Sequence, residues 1–495
     1  MLNIGNSVAL LALLSWPLVI ILMFRFMTLE RALIWSILGG YMLLPQVSEI
    51  NLPGIPALNK TSIPNLTAFV VIIAMLGRMP QLLPKTWPGR FLIVALVLSP
   101  GLTVLNNLEP IRFGIQSFGD FTLFYSDQAE RAELPRLRPY DALTVVANQI
   151  IFLLPFFLAR SLLQSEEAIR ELLRALVIGA MIYALPFLFE IRFSPQLHTW
   201  IYGFFQHSFA QTIRFGGFRP IVFMPHGLWL ALFMLKALLA AVALTRMATP
   251  DSKLRMIALC IFLSVLLILS RSVGPVVLAL LLLPLLVFAT PRMQVFTGML
   301  AGALVMVYPL LRGGGLIPTD AIVARVAGLD EDRAQSLGFR FFNEGQVLAH
   351  VSDKPLLGWG GWGRFVPHDP MSGLTDIVVD GQWIITIGHY GWVGYIAQFG
   401  LLTLPLFALW WQSRRASATA LPFSVSALAL IYAANLLDLL PNATLVPLTV
   451  LIGGALLGHA ELIRQRSTEA FAASKNATRP SQMLGKVRPG KRSVL

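Results

Sequence analysis

The sequence predicts an all-α, polytopic membrane bundle of about twelve to thirteen transmembrane helices with a large helical extracytoplasmic loop. Three observations carry that expectation. Of 495 residues, 56% are hydrophobic and only 13% are charged, and the mean hydropathy is +0.71. Such a chain is too apolar for a soluble protein and too long for a few anchors. Apolar stretches of roughly 17 to 25 residues recur along it, and the lysines and arginines of the short connections between them fall consistently on one side.

Read in order, the apolar segments lie near 6–24, 31–47, 63–78, 91–105, 142–160, 172–190, 221–244, 256–270, 274–290, 294–311, 386–411, 420–438 and 441–458. The opening Met1 to Phe24 lacks the basic start and small-residue cleavage site of a secretory signal, and reads as a first span. Arg25 and Arg31, Arg78 to Arg90, Arg160 to Arg174, Arg246 to Arg255, Arg292, and Arg414 with Arg415 then share one face, which the positive-inside rule makes cytoplasmic. The N-terminus is accordingly extracytoplasmic and the C-terminus cytoplasmic. Five regions follow: N-terminal spans and a first outer loop at 1–141, core spans at 142–311, a large outer loop at 312–385, C-terminal spans at 386–460, and a basic tail at 461–495. The tail's Ser/Pro/Gly-rich end, with Arg488, Lys491 and Arg492, predicts a disordered, solvated segment. The single cysteine, Cys260, lies in an apolar run, so no intramolecular disulfide is possible and no cysteine metal site is expected.

The outer side holds the long segments 106–141, 191–220 and 312–385, and function is expected there. Its only lysines are Lys60 and Lys354; the other basic residues, from Arg112 and Arg131 to Arg364, are arginines. Arginine's planar fork grips phosphate oxygens bidentately, so the bias suggests a phosphate or pyrophosphate ligand, although a GC-rich genome produces the same bias. Arg214 and Arg219 bracket Phe215-Gly216-Gly217-Phe218, where paired glycines let the backbone bend and two guanidinium groups converge on one anion. Arg271 occupies the tight turn Ser270-Arg271-Ser272, from which it either snorkels to the interface or points into a wet cavity.

Within 312–385, Pro318 to Ala327 and Asp330 to His350 read as helices, the second with Leu337, Phe341 and Leu348 on an apolar stripe that fits the membrane surface. Arg340 and Glu344 stand at i,i+4, as a surface ion pair or as an anion ligand with its orienting carboxylate. The run Leu357-Gly358-Trp359-Gly360-Gly361-Trp362-Gly363 is too glycine-rich for a helix; its tryptophans either anchor the loop at headgroup level or stack on a sugar. Asp380 then precedes the re-entry into the membrane, followed by Gly391-Trp392-Val393-Gly394. His368-Asp369 is weak as a metal pair. His207, His226, Glu190, Asp120 and Asp127 read as ordinary interface residues.

The order of these pieces resembles the O-antigen ligase and O-antigen polymerase superfamily: Arg214 with Gly217-Phe218-Arg219-Pro220 before a span, Ser270-Arg271-Ser272, Arg340 through Lys354-Pro355-Leu356-Leu357-Gly358-Trp359-Gly360, then Gly391-Trp392-Val393-Gly394. The resemblance covers roughly 140–440. It implies a GT-C-like integral-membrane glycosyltransferase at the outer face of a bacterial inner membrane. Such enzymes move a glycan from undecaprenyl pyrophosphate to an acceptor glycan or lipid. No paired acidic ligands stand near the arginines in the sequence, so no metal or cofactor is expected. By that resemblance Arg214, Arg219, Arg271 and Arg340 bind the donor pyrophosphate, Asp380 and Arg340 are catalytic, and Glu344 and His389 are possible supports. In the ligase branch a histidine stands where this chain has Asp380, a departure that favours exopolysaccharide or O-antigen polymerisation over ligation to lipid A core. The base is then Asp380, His389, or no side chain at all. Expected partners are the lipid-linked glycan, the acceptor, the bilayer and other polysaccharide-assembly proteins, and no nucleic acid. Two rival classes remain. One is a lipid-linked glycan transporter, for which Lys236 inside a span would be a transport residue, although no inverted repeat is visible. The other is a non-catalytic scaffold.

Overall fold

The computed structural model describes residues 5–52, 56–118, 121–124, 133–328, 330–415 and 421–477. Asp120, Asp127, Arg131, Arg488, Lys491 and Arg492 lie outside the described residues.

Sixteen α-helices follow among the described residues: α1 (Ser7–Phe26), α2 (Leu29–Leu43), α3 (Ser62–Leu76), α4 (Trp87–Leu105), α5 (Pro139–Leu162), α6 (Glu166–Phe193), α7 (Leu197–Tyr202), α8 (Gly227–Arg246), α9 (Pro250–Leu269), α10 (Val273–Phe288), α11 (Pro291–Gly313), α12 (Thr319–Ala327), α13 (Glu331–Val351), α14 (Gln382–Arg415), α15 (Phe423–Asp438) and α16 (Pro447–Ala477). Short antiparallel ribbons decorate the connections: β1 (Glu49–Ile50) with β2 (Leu58–Asn59), β3 (Ile111–Arg112) with β6 (Glu133–Leu134), β4 (Ile115–Phe118) with β5 (Phe121–Phe124), and β7 (Ile213–Arg214) with β8 (Gly217–Phe218). Each predicted apolar segment is occupied by a helix, and α7, α12 and α13 lie in the connections.

Eight of these helices are long and apolar enough to cross a membrane, and α3, α10 and α15 are shorter apolar helices. The protein is therefore a multi-pass helical membrane protein. Helix is the form that satisfies its own backbone in hydrocarbon. Leu11, Leu14 and Leu18 of α1, Ile261 and Ile268 of α9, and Leu280 and Leu281 of α10 point outward, as a lipid-facing surface requires. α8 and α15, by contrast, are buried along most of their length. Polar side chains tie the centre together: Ser426 Oγ donates to Gln294 Oε1 at 2.7 Å, Thr449 Oγ1 to Asn435 Oδ1 at 2.7 Å, and the Tyr432 hydroxyl to Leu402 O at 2.7 Å.

α16 corrects one boundary. It begins at Pro447 and continues to Ala477, so 461–477 is helix rather than disordered tail. The residues after Glu461 are mostly good helix formers with polar side chains, and Glu461 is anchored by a buried ion pair to Arg160, Oε2 to Nη1 at 2.5 Å. Above that pair, Gly454 and Gly458 press on the carbonyls of Phe156 and Arg160, and a Cβ on either would stand 2.2 Å from the oxygen. The spacing is that of small residues which let membrane helices touch. Gly458→Leu is expected to force α5 and α16 apart at a cost of at least ~1–3 kcal/mol. A melting curve of the detergent-solubilised protein that matches wild type would mean the seam is not tight.

α14 also begins earlier than predicted, at Gln382, and is broken at Gly391 (φ 63, ψ −165). The helix loses hydrogen bonds at the break, and the glycine-rich loop after α13 replaces them. Trp392 N–H donates to Pro355 O at 2.8 Å and Val393 N–H to Leu356 O at 3.1 Å, while Trp359 and Gly360 N–H donate to Gly388 and His389 O at 2.9 Å each. This docking fixes α13 against the start of α14.

Candidate active site between α13 and the start of α14

Asp380 stands just ahead of α14, and its Oδ2 lies 3.0 Å from Arg340 Nε on α13. Both side chains are partly exposed, so the pair is open to solvent rather than locked in the core. Arg340, Glu344, Val379, Asp380, Gly381 and Pro441 line a small pocket around it. The turn between α15 and α16 supports this wall. Gln382 N–H donates to Leu439 O at 3.0 Å, and a Cβ on Gly381 would stand 2.4 Å from Leu440 O. That turn is itself shaped by the buried carboxylate of Asp438, which accepts from Asn442 Nδ2 at 2.9 Å and Thr444 Oγ1 at 2.6 Å.

Glu344 does not pair with Arg340, contrary to the i,i+4 expectation. Arg340 turns to Asp380, and Glu344 faces Arg312 at the end of α11, Oε2 to Nε at 3.5 Å. Packing decides this, because the buried face of α13 runs through Ala334, Asn343, Glu344, Val347 and Val351, with Leu337, Phe341 and Leu348 only half-buried beside it. Burial pushes the Glu344 carboxyl up to about 7, against the pull of Arg312 and Arg340. Between the usual 4.5 and 7 the folded protein thus holds an extra proton, so this group's stabilising contribution is present at low pH and is lost as pH rises through that window. Glu344→Gln is expected to shrink the difference in melting temperature between pH 5 and pH 8; an undiminished difference would remove Glu344 as its source.

The predicted arginines lie on and beside the β7–β8 hairpin. Arg219 is buried and donates from Nη2 to Ser272 Oγ at 2.5 Å, while its Nε has no partner among the described residues. Gly227 makes room for it, since a Cβ there would stand 2.6 Å from that Nε. Burial first, then the nearby charges of Arg214 and Arg340, lower the Arg219 pKa to about 10, so it stays cationic at neutral pH. Arg271 has a left-handed backbone (φ 54) and donates from Nη1 to the carbonyls of Arg214 and Phe215, the latter at 2.6 Å. It therefore braces the hairpin that presents Arg214. Arg333, in the first turn of α13, lies over the Phe215 ring at 5.1 Å. The charges of Arg214 and Arg340 both act on Arg219, Arg271 bonds to the hairpin, and Arg340 holds Asp380, so these residues are linked pairwise across one neighbourhood.

Other predicted residues have different settings. His389 sits in α14 just before the break, its ring 4.3 Å from that of Phe365, and it lines an apolar cavity with Gln149, Gln382 and Tyr390; none of its described contacts reaches Arg340 or Asp380. Trp359 stacks on His350 at 4.3 Å and carries Lys354 Nζ 4.7 Å over its ring, so that face is occupied. Asp369 caps a turn through Ser372 N–H at 2.7 Å. Lys236 is buried within α8. Glu190 accepts the N–H groups of Ile221 and Val222 at 2.8 and 2.7 Å, which pins the segment leading into α8. Asp438 and Arg312 also shape the site, although the sequence marks neither strongly. The available signal was modest: a carboxylate closing an apolar run before Pro441-Asn442, and an arginine closing another.

No family model matches the chain, and no curated protein does so either. A half-exposed carboxylate paired with one guanidinium group can accept a proton from a hydroxyl while a polyanionic group rests on that arginine and its neighbours.

Proposed function

We propose that this protein is a member of the O-antigen ligase and polymerase superfamily, a C-type glycosyltransferase that polymerises glycan repeats from undecaprenyl pyrophosphate at the outer face of a bacterial inner membrane. The observation that carries the reading is the Arg340–Asp380 pair at the edge of the Arg214/Arg219/Arg271 cluster. In this reading about thirteen helices cross the bilayer, with the N-terminus outside, the tail inside and the site on the outer face.

Chemically, the acceptor hydroxyl oxygen attacks the anomeric carbon as the bond to the pyrophosphate oxygen breaks, with inversion. The hydroxyl proton passes to Asp380, and undecaprenyl pyrophosphate leaves with the bonding electrons, its charge met by the arginines. Arg340 has two successive partners. In the structure it holds Asp380; a pyrophosphate, with more charge, draws it away and leaves the carboxylate free to take the proton. Donor binding and base activation are thereby linked. A carboxylate where the ligase branch has histidine favours polymerase over ligase.

The test is the profile of lipid-linked intermediates in cells carrying Arg340→Ala at normal protein level. Single undecaprenyl-linked repeats are expected to accumulate. Full-length lipid-linked polymer left untransferred would make the protein a ligase, and an unchanged profile would remove both readings and favour a transporter or scaffold.

A further inference from the structure

A second electropositive pocket lies between the segment before α5 and the glycine-rich loop after α13. Arg112, Glu133, Arg136, Arg138, Asp141 and Trp362 line it, with two prolines and, among the described residues, no aliphatic side chain. Its carboxylates are already engaged. Glu133 faces Arg112 across the β3–β6 ribbon at 3.8 Å, and Asp141 accepts the Arg138 backbone N–H at 2.8 Å at the start of α5. Among the described residues no carboxylate pairs with the guanidinium of Arg136 or Arg138, and both side chains are exposed on either side of the buried Leu137. Alternation in an extended segment places them on one face.

The opposite wall is unusual. Trp362 is 75% exposed and held in the left-handed region (φ 62), a conformation that bulky residues rarely adopt. Strain of this kind persists where the surroundings over-determine it, and it concentrates at ligand clamps. Here the surroundings are specific. Buried Arg364 donates to Pro135 O at 3.1 Å and Glu109 O at 2.9 Å, and Asn107 Nδ2 donates to Gly358 O at 3.1 Å while its Oδ1 accepts from Lys354 Nζ at 2.8 Å. Gly360 packs so tightly on Leu137 that a Cβ would stand 2.7 Å from Cδ1. The two walls are thus stapled together by the protein's own contacts, with an aromatic face on one and, among the described residues, two guanidinium groups without a carboxylate partner on the other.

We infer that this pocket binds an acidic saccharide, its carboxylates on Arg136 and Arg138 and a sugar ring stacked on Trp362. Arginine forks suit planar carboxylates, and an indole covers the apolar face of a ring. A lipid tail would need aliphatic walls, which the described lining of this pocket does not supply. The inference rests on the glycan reading above and extends it: the site holds the acidic acceptor or growing chain apart from the donor arginines, and the polymer carries uronate or similar anionic residues.

The test uses the full-length protein in phosphatidylcholine nanodiscs, with oligogalacturonate as probe and maltohexaose as the neutral control. Oligogalacturonate is expected to bind saturably and more weakly as salt rises. Arg136→Ala/Arg138→Ala and Trp362→Ala should each weaken it at least tenfold, and Arg340→Ala should leave it unchanged. Absence of binding, equal binding of maltohexaose, or indifference to the arginine substitutions would overturn the proposal. So would displacement of the probe by phosphatidylglycerol in the disc, which would make an anionic headgroup the occupant. The two readings fail separately: a normal glycan profile in Arg340→Ala cells with these binding differences intact removes the polymerase and leaves the acidic-saccharide site.

Discussion

With Asp380 as the base proposed above, Asp380→Asn is expected to lower turnover by about 10²–10⁴-fold, the usual size of a lost general base, without weakening donor binding. The amide keeps the shape of the carboxylate but accepts no proton and holds Arg340 less firmly than the 3.0 Å ion pair does. Released from that pair, Arg340 is freer to meet the pyrophosphate, so the donor KM should stay level or fall while kcat collapses. Arg340→Ala is expected to do something different. It removes a cation from the cluster and frees Asp380 at once, so donor KM should rise and kcat fall together. Turnover of a lipid-linked repeat by the purified variants, with kcat and KM resolved, separates the two cases. If Asp380→Asn raises donor KM as much as Arg340→Ala does, the exchange of partners by Arg340 is wrong and the pair is only a structural clasp. The double variant adds a further check, because two residues acting through one contact lose less together than the sum of their separate losses.

The helical membrane fold was legible because hydrocarbon permits so little else. A long apolar run has to satisfy its backbone internally, so its position reveals a helix before any packing is known. Arg340 and Asp380 were legible as types, a cation and a carboxylate in a polar interruption, and so were the arginines flanking the paired glycines. Their pairings were harder to read. The i,i+4 rule offered Glu344 to Arg340, but that rule describes an isolated helix surface. In the folded protein Glu344 falls on the buried face of α13 and meets Arg312 from another helix, while Arg340 meets a loop forty residues away in sequence. The same holds for Asp438, whose role depends on the turn it shapes beneath Gln382. The extension of α16 was missed for a different reason: its polar continuation carries no hydropathy signal, and its anchor, Arg160, lies on α5.

Gly391→Ala is expected to undo the site from a distance, and it is the substitution with the largest structural effect. At φ 63 and ψ −165 the residue occupies a region open essentially to glycine alone. A Cβ there would also lie 2.3 Å from Leu356 O, an atom held by its own hydrogen bond from Val393 N–H. Neither problem can be relieved by a side-chain rotation, because both involve backbone. The loop 355–360 would have to lift off α14, and the four hydrogen bonds that patch the helix break would go with it. α13 would then lose its fixed register against Gln382, so that Arg340 and Asp380 no longer meet. A loss of at least a hundredfold in turnover and a clear fall in melting temperature are expected. Trypsin provides a local readout, since Arg364 is almost fully buried in the intact structure and should become a cleavage site once the loop is loose. Gly361→Ala in the same loop is the control, for a Cβ there meets nothing within 4 Å. Equal resistance to trypsin in Gly391→Ala and Gly361→Ala would mean that the docked loop is dispensable, and the coupling of the helix break to the Arg340–Asp380 pair would fail with it.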